Sequence, residues 1–376
     1  MKTLYLHIGT AKTGTTSLQK FFAINRSLLQ KKGFSFPEMP FGFEDVGQKN
    51  RNGHFLTLYD EPDTEKKWEK GWKTVRETFL KSNNVILSDE QIWIVQVKDG
   101  FWEKVLSEAE KAGVALKVIV YLRKQDEIAE SHWNQKVKGR PKLSSTFFEF
   151  INEGGYDFFP LDYGKTIDHV ASCIGKENLR VRAFERQQFA GGSLFVDFLQ
   201  LLSLGLTDEY KMPGHVSNLR LPDNVVEIKR LINQVQSYQK ESIPNFYWDA
   251  IRQAYGLGTM KEIPVAQKGM FSPEERAQYL DRFAEGNAHV AKEYLGRKDG
   301  TLFFGEASTL PKWEPDETEM LKDMVRVFAG ADTYLFARQE ELAAKLEEAN
   351  RKLEEIYNSF PYRVVRKMHR GKREDG

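Results

Sequence analysis

The 376 residues contain one cysteine, Cys173, which has no partner for an intrachain disulfide. Charge of one sign is not in excess. The 55 Lys and Arg stand against 54 Asp and Glu, so there is no global basic field for wrapping DNA or RNA, and no nucleic-acid partner is expected. A nucleotide would have to be held by a local site. Long hydrophobic runs are missing too: the longest clearly apolar stretch near a strand, Val118 to Leu122, falls far short of the roughly 20 residues that cross a bilayer. Met1 to Gly9 lacks the apolar core of a secretory signal. With a lone cysteine, this makes a reducing cytoplasm the expected location and limits membrane contact to the periphery. No internal repeat with a period of about 20 to 50 residues is present. What the chain does have is 40% hydrophobic and 12% aromatic residues, enough for one large or two modest cores, which excludes disorder, collagen and a disulfide miniprotein.

Thr3 to Ile8 is a strand-like run that ends in Gly9 and is followed by helical spacing from Thr15 through Leu29. Val85 to Leu87, Leu116 to Leu122 and Leu179 to Phe184 are further apolar runs that alternate with helical patterns, which predicts an α/β fold with a central parallel sheet. Between the first two runs lies a stretch rich in Gly, Phe and Pro, Gly33 to Gly53, and then a helix carrying Trp68 and Trp72. A long insertion at the carboxyl end of a strand commonly carries function. The C-terminal half is helical, with apolar periodicity over Val225 to Gln239, Pro273 to Leu295 and Glu317 to Phe328. Leu335, Leu342, Leu346, Ala349, Leu353 and Ile356 then recur at coiled-coil spacing, a short heptad seam suited to self-association or to docking on its own domain. Beyond Pro361, Arg363, Arg366, Lys367, Arg370, Lys372 and Arg373 alternate with apolar residues, a pattern able to lie on an anionic inner-membrane surface or to remain a solvated terminus.

Gly9-Thr10-Ala11-Lys12-Thr13-Gly14-Thr15-Thr16-Ser17 lies between the first strand and its helix, where successive backbone N–H groups and a helix amino end hold an anion. Its two glycines have the separation of a Walker A motif. Thr15, however, stands where that motif has its lysine, and the lysine has moved to Lys12 at the apex. An apical lysine can reach the bridging oxygen of a 5′-phosphosulfate while the Thr15 and Thr16 hydroxyls and N–H groups bind the phosphate.

The run from His7 to Gln19 resembles the 5′-phosphosulfate loop of sulfotransferases that use PAPS, 3′-phosphoadenosine 5′-phosphosulfate. That family's second signature, an arginine closing a strand and a serine eight positions later, is matched by Arg123 and Ser131 within Lys117 to Ser131. Val181 to Arg186, Asp197 to Leu199, Asn287 to Tyr294 and Leu302 to Phe304 are similar to the body of bacterial, carbohydrate-type members. The resemblance implies a P-loop-like three-layer fold, sulfuryl transfer from PAPS to an acceptor hydroxyl or amine with PAP as product, and no obligatory metal. Lys12, Thr13, Gly14, Thr15, Thr16 and Ser17 would hold the 5′ end, and Arg123 and Ser131 the 3′-phosphate. It covers roughly residues 1–305, so the expected division is a sulfotransferase domain over 1–305, a linker and helix over 306–331, a heptad helix over 332–359 and a basic tail over 360–376.

The acceptor's proton needs a base near a neighbouring strand end. Glu90, just beyond Val85 to Leu87, is the first candidate, and His54 in the long insertion is the second; Asp89 is expected to cap or to position. His7 is expected to pack beneath the phosphate site, while His132 and His169 receive no role. Lys136, Lys138, Arg140 and Lys142, with Trp93, Trp102 and Trp133, would suit a saccharide acceptor if they line the mouth, and are otherwise solvated charges and core rings. Two rival readings stay open. Val85 to Glu90 also resembles a Walker B strand, which would make the chain a magnesium-ATP kinase or NTPase. The heptad helix would equally serve a noncatalytic scaffold that recruits partners.

Overall fold

The structure, a computed structural model, describes residues 2–40, 50–58, 63–139, 143–152, 159–214, 223–235, 250–251, 254–255 and 268–359. Its centre is a five-stranded sheet in the order β2-β3-β1-β4-β5, with every pair parallel. The strands are β1 (Thr3–His7), β2 (Phe34–Ser35), β3 (Asn84–Ser88), β4 (Ala115–Leu122) and β5 (Leu179–Ala183). Four of these are the apolar runs of the sequence. The fifth, β2, is two residues long and too short to leave a periodic signal. β1 is buried on both faces, as a central parallel strand has to be, and this is why it reads as a nearly continuous apolar run.

The chain leaves β1 toward β2 and β3, then crosses to β4 and β5 on the other side, so the carboxyl ends of β1, β3 and β4 converge where the direction of winding reverses. Open α/β sheets collect their ligands at that point. One face of the sheet carries α1 (Thr15–Ile24), α2 (Arg26–Lys31) and α9 (Leu194–Leu201). Leu18, Phe21, Phe22, Phe198 and Leu199 close there over Ile86, Ile119 and Tyr121. The other face packs on α3 (Thr64–Phe79), α5 (Phe101–Lys111) and α8 (Tyr163–Ile174), giving three layers. Between these come α4 (Ile92–Val95), α6 (Gln125–Lys138) and α7 (Phe147–Asn152). The C-terminal half supplies α10 (Asp223–Gln234), α11 (Pro273–Asp281), α12 (Ala284–Leu295) and α13 (Glu317–Asn358).

Two helices expected as continuous are broken. The Thr15 to Leu29 helix stops at Asn25, whose buried carboxamide donates to the carbonyls of Phe21 and Lys211, both at 2.8 Å, and accepts the Lys211 N–H at 2.8 Å. A side chain that satisfies backbone groups of a distant segment competes with the helix ladder and ends it. The Pro273 to Leu295 helix turns at Arg282 and Phe283, which sets the Phe283 ring against Tyr279 at 5.4 Å. Its start is fixed by a Ser272–Glu275 capping box.

The chain forms two compact units, residues 1–136, 145–218 and 266–313 in one and residues 137–144, 219–265 and 314–376 in the other. The sheet and its loops belong to the first. In the second, α13 meets α10, Ala250, Ala254 and Tyr255 through Asp323, which accepts from Tyr255 at 2.6 Å and Asn224 at 3.1 Å, and through Gly330, where a Cβ would lie 2.6 Å from the Ala250 carbonyl. The stretches expected as linker (306–331) and heptad helix (332–359) share α13, and its residues from Leu335 to Asn358 are all exposed. The basic tail, residues 360–376, and positions 236–239 of the expected Val225 to Gln239 helix lie outside the described residues. Among the described residues no helix is long and apolar enough to cross a membrane.

β2 pairs with only Asn84 and Val85 of β3, and the rest of that edge is satisfied by Asn52. Its carboxamide donates to the Ile86 carbonyl at 2.9 Å and accepts the Ser88 N–H at 2.8 Å, replacing a strand with one side chain. Asn52→Ala leaves both backbone groups buried and unpaired. It should lower the unfolding free energy by about 1–3 kcal/mol in urea titration.

Candidate active site

The loop from Gly9 to Ser17 is stitched to β4 before it turns. The Thr10 N–H donates to the Tyr121 carbonyl and the Tyr121 N–H to the Gly9 carbonyl, both at 2.7 Å. Gly9 has φ 104°, and a Cβ on it would sit 3.1 Å from Glu90 Cα, so only glycine lets the segment after β3 come this close. Gly14, at φ 71°, opens α1 and leaves no room for a Cβ beside Leu194. Between them Lys12 takes a left-handed conformation, φ 66°, at the apex. The Thr13 hydroxyl is spent internally on the Thr10 carbonyl at 2.5 Å, which leaves Thr13 only its N–H for a ligand. Thr15 differs: its hydroxyl is buried and has no hydrogen-bond partner. Thr16 is exposed and Ser17 half-buried at the helix entrance.

Arg123 follows β4 and donates to the Lys12 carbonyl at 2.9 Å and to Glu127 at 2.7 Å, with its guanidinium 5.9 Å from the Phe184 ring centre. Tyr163 on α8 donates to the Arg123 carbonyl at 2.6 Å, fixing the end of β4 to that helix. Ser131 is half-buried on α6, and the next residue, His132, feels the charge of Lys12.

The carboxylates beyond β3 divide the work. Asp89 is fully buried and takes a two-pronged contact from Arg51, at 2.9 Å from Nε and 2.8 Å from Nη2, while its Oδ1 also accepts the Gln91 N–H at 2.8 Å. His54 Nδ1 lies 3.5 Å from Asp89 Oδ2 and 2.9 Å from the Thr57 hydroxyl. Burial alone would raise the Asp89 pKa, but the hydrogen bond from His54 and the Arg51 guanidinium hold it below the ordinary value. Glu90 goes the other way. Burial raises it, with the charge of Asp89 adding to this and Arg51 and Lys12 opposing, and its Oε2 is buried without a hydrogen-bond partner. Lys12 is lowered by burial and by Arg123, against the pull of Glu90. Lys12, Arg123, Glu90, Asp89, Arg51 and His54 are thus one charge network around the loop.

His7 lies under the loop as expected. Its Nδ1 is 2.9 Å from the Ser88 hydroxyl, its ring stands edge-on to Phe198, and burial pushes its pKa down to about 3. His132, given no role by the sequence, stands edge-on to Phe159 at 4.8 Å. Burial, then Lys12 and Lys136, push it down to about 3. His169 reaches only the Gln96 carbonyl, at 3.4 Å. Arg51 was not singled out, although it sits three residues before His54; a charged residue beside a candidate in a long insertion was the available signal. Also unforeseen is Arg276, which pairs with Asp126 and, at 2.8 Å, with Glu130 and so anchors α11 to α6. Trp93, Trp102 and Trp133 are core rings, and their N–H groups are used by Pro160, Gln96 and Ser145. They do not line a mouth. Lys136 and Lys138 are half-buried, and Arg140 and Lys142 lie outside the described residues.

No family model matches the chain. An uncharacterized protein of Archaeoglobus fulgidus is 28% identical over 185 residues, 49% of this chain and 47% of that protein, so the chain spans about half the length of the curated relative it matches. Among solved structures, a sulfotransferase from Alicyclobacillus acidocaldarius is similar over 62% of this chain and 94% of that one, at 16% identity and a TM-score of 0.36. Neither likeness assigns a reaction to this chain.

Because the Asp89 pKa is depressed, the stability that Asp89 contributes is present above the ordinary carboxylate value and is lost as pH falls through the lower folded one. Arg51→Ala should therefore destabilise the protein by about 3 kcal/mol near pH 7 by leaving a buried carboxylate unpaired. The difference from the unaltered protein should shrink as pH falls below about 4, read from urea unfolding at several pH values.

Proposed function

We propose that the chain moves the sulfuryl group of PAPS to a hydroxyl of a saccharide or lipid-linked saccharide, by in-line transfer with a carboxylate base. One observation carries the reading: a left-handed apical lysine, Lys12, is held beside Arg123 and faces a buried glutamate with an unpartnered oxygen across the Gly9 contact. The residues present fit such a donor, since the Thr15 hydroxyl is buried without a partner at the entrance of α1, where N–H groups and the helix dipole favour a phosphate.

In this reading the N–H groups of Thr13 to Thr16, the Thr15 hydroxyl and the Ser17 side chain hold the 5′-phosphate, the Ser17 N–H being bonded to the Gly14 carbonyl, and Arg123 and Ser131 hold the 3′-phosphate. Glu90 takes the proton of the attacking hydroxyl as its oxygen bonds to sulfur, and Lys12 meets the charge on the bridging oxygen as the old sulfur–oxygen bond breaks. His54 is the alternative base, and Asp89 with Arg51 sets its position. The assignment of an acceptor made at the inner membrane face, and with it a cytoplasmic location and peripheral contact through residues 360–376, rests on the sequence pattern. Against a magnesium-dependent kinase stands Asp89, whose two oxygens are both engaged by Arg51.

Calorimetric titration with PAP should give tight binding that is unchanged by EDTA and outcompetes ATP; preference for magnesium-ATP would make the loop a kinase loop. Arg123→Ala should weaken PAP binding about 10- to 100-fold. Lys12→Ala should cost turnover about 100-fold or more while changing PAP affinity far less, since its charge is needed as the bond breaks.

With its pKa raised, Glu90 would be protonated and idle at acid pH, so kcat/KM should fall on the acid side with a midpoint above the ordinary glutamate value of about 4.3. Glu90→Gln should remove that limb and lower kcat about 100- to 10,000-fold. If His54→Gln removes the limb and Glu90→Gln does not, the histidine is the base.

A further inference from the structure

The outer surface of α13 belongs to no part of the phosphate site. Its inner face, Asp323, Val327, Gly330 and Ala331, is buried within its own unit. From Leu335 onward the helix is exposed all round for about 24 residues, about 36 Å of length. A helix draws most of its stability from packing an apolar face, and over this length the apolar face has nothing packed on it: Leu335, Leu342, Leu346, Leu353 and Ile356 are between 48% and 63% exposed. The seam reaches further back than the sequence indicated. Leu321 and Phe328 precede Leu335 at steps of seven, and Val325 falls between them, all at least half exposed. In heptad terms, Leu321, Phe328, Leu335, Leu342, Ala349 and Ile356 occupy d, while Val325, Leu346 and Leu353 occupy a. A strict seven-residue repeat on a straight helix drifts unless a partner winds around it left-handedly.

The flanks of the seam select the partner. On one side, at g, stand Arg338, Lys345 and Lys352. On the other, at e, stand Phe336, Ala343, Asn350 and Tyr357, none of them charged. The acidic residues lie outside the seam and neutralise the basic flank within the same helix, Glu341 pairing with Arg338 and Lys345 and Glu348 with Lys352, at 2.5–2.6 Å. Two copies laid antiparallel would bring g against g, basic against basic. Laid parallel and in register, g meets e of the partner, so Lys352 meets Tyr357 and no like charges face each other across the flank. Asp332 and Gln339 occupy a; a polar residue there fixes register at a cost in stability, and Asp332 facing its twin confines the tight pairing to the stretch from Leu335 on.

We infer that α13 joins two copies of this chain in a parallel, in-register two-stranded coiled coil from Leu335 to Ile356. The inference is independent of the reaction assigned above.

The test is sedimentation of the full chain over a range of concentrations, beside a Leu346→Glu, Leu353→Glu double variant and an Ala344→Glu control on the face away from the seam. Both altered leucines are exposed in a single chain, so the variant keeps its fold, checked by circular dichroism. The unaltered chain and the control should weigh twice 43.5 kDa, and the double variant should associate at least about 100-fold more weakly. Direction is read by Gln339→Cys in a Cys173→Ser background, which should oxidise to a covalent dimer only if position 339 meets its twin. A mass of 43.5 kDa at every concentration overturns the inference, and so does a dimer indifferent to Leu346 and Leu353. A dimer that depends on the seam but does not cross-link through position 339 overturns the parallel register.

Discussion

A carboxylate with no exposed surface must find its counter-charge inside the protein, and Asp89 finds it in Arg51. The pairing does more than neutralise a charge. It draws the segment 50–54 against the carboxyl end of β3, brings His54 within 3.5 Å of the same carboxylate, and leaves a fixed negative charge beside Glu90. One buried ion pair therefore sets the position of both candidate bases. It also separates the two neighbouring carboxyls in acidity, one held low and the other pushed up, the pattern that lets adjacent acids take different tasks.

The positive side of the site is equally constrained. Arg123 weakens the hold of Lys12 on its proton and donates a guanidinium hydrogen bond to the Lys12 carbonyl, which ties the loop's apex to the end of β4. His7, on the strand that leads into the loop, and His132, which feels the charge of Lys12, are driven neutral by burial at physiological pH.

How much of this could be read from the chain depends on whether a feature is local. The loop with the strand before it, and the arginine closing β4 with the helix after it, are each local in sequence and legible as residue types at fixed spacing. Arg51 was not, because its partner lies 38 positions away and no local pattern announces a buried pair. Asn25 falls inside a run of helical spacing, and its contacts with Lys211, 186 positions on, make it a helix terminator. The tryptophans were ambiguous because periodicity does not distinguish a ring at a cleft from one in the core, and only packing decides. The heptad seam was visible where apolar residues were dense, and its extension to Leu321 was hidden because the same turns also carry the inner face buried in the second unit.

Asn52 has a consequence of another kind. A parallel sheet ends in strands whose outward N–H and C=O groups are open to any extended peptide, including another copy of the same sequence. β2 covers just the first two residues of β3, and the carboxamide of Asn52, with the Gly53 N–H on the Ser88 carbonyl at 3.3 Å, occupies the hydrogen-bonding positions that remain. The segment that delivers Arg51 and His54 to the site is thus also a guard against strand addition, and the protein cannot loosen one role without exposing the template for edge-to-edge aggregation that the other conceals.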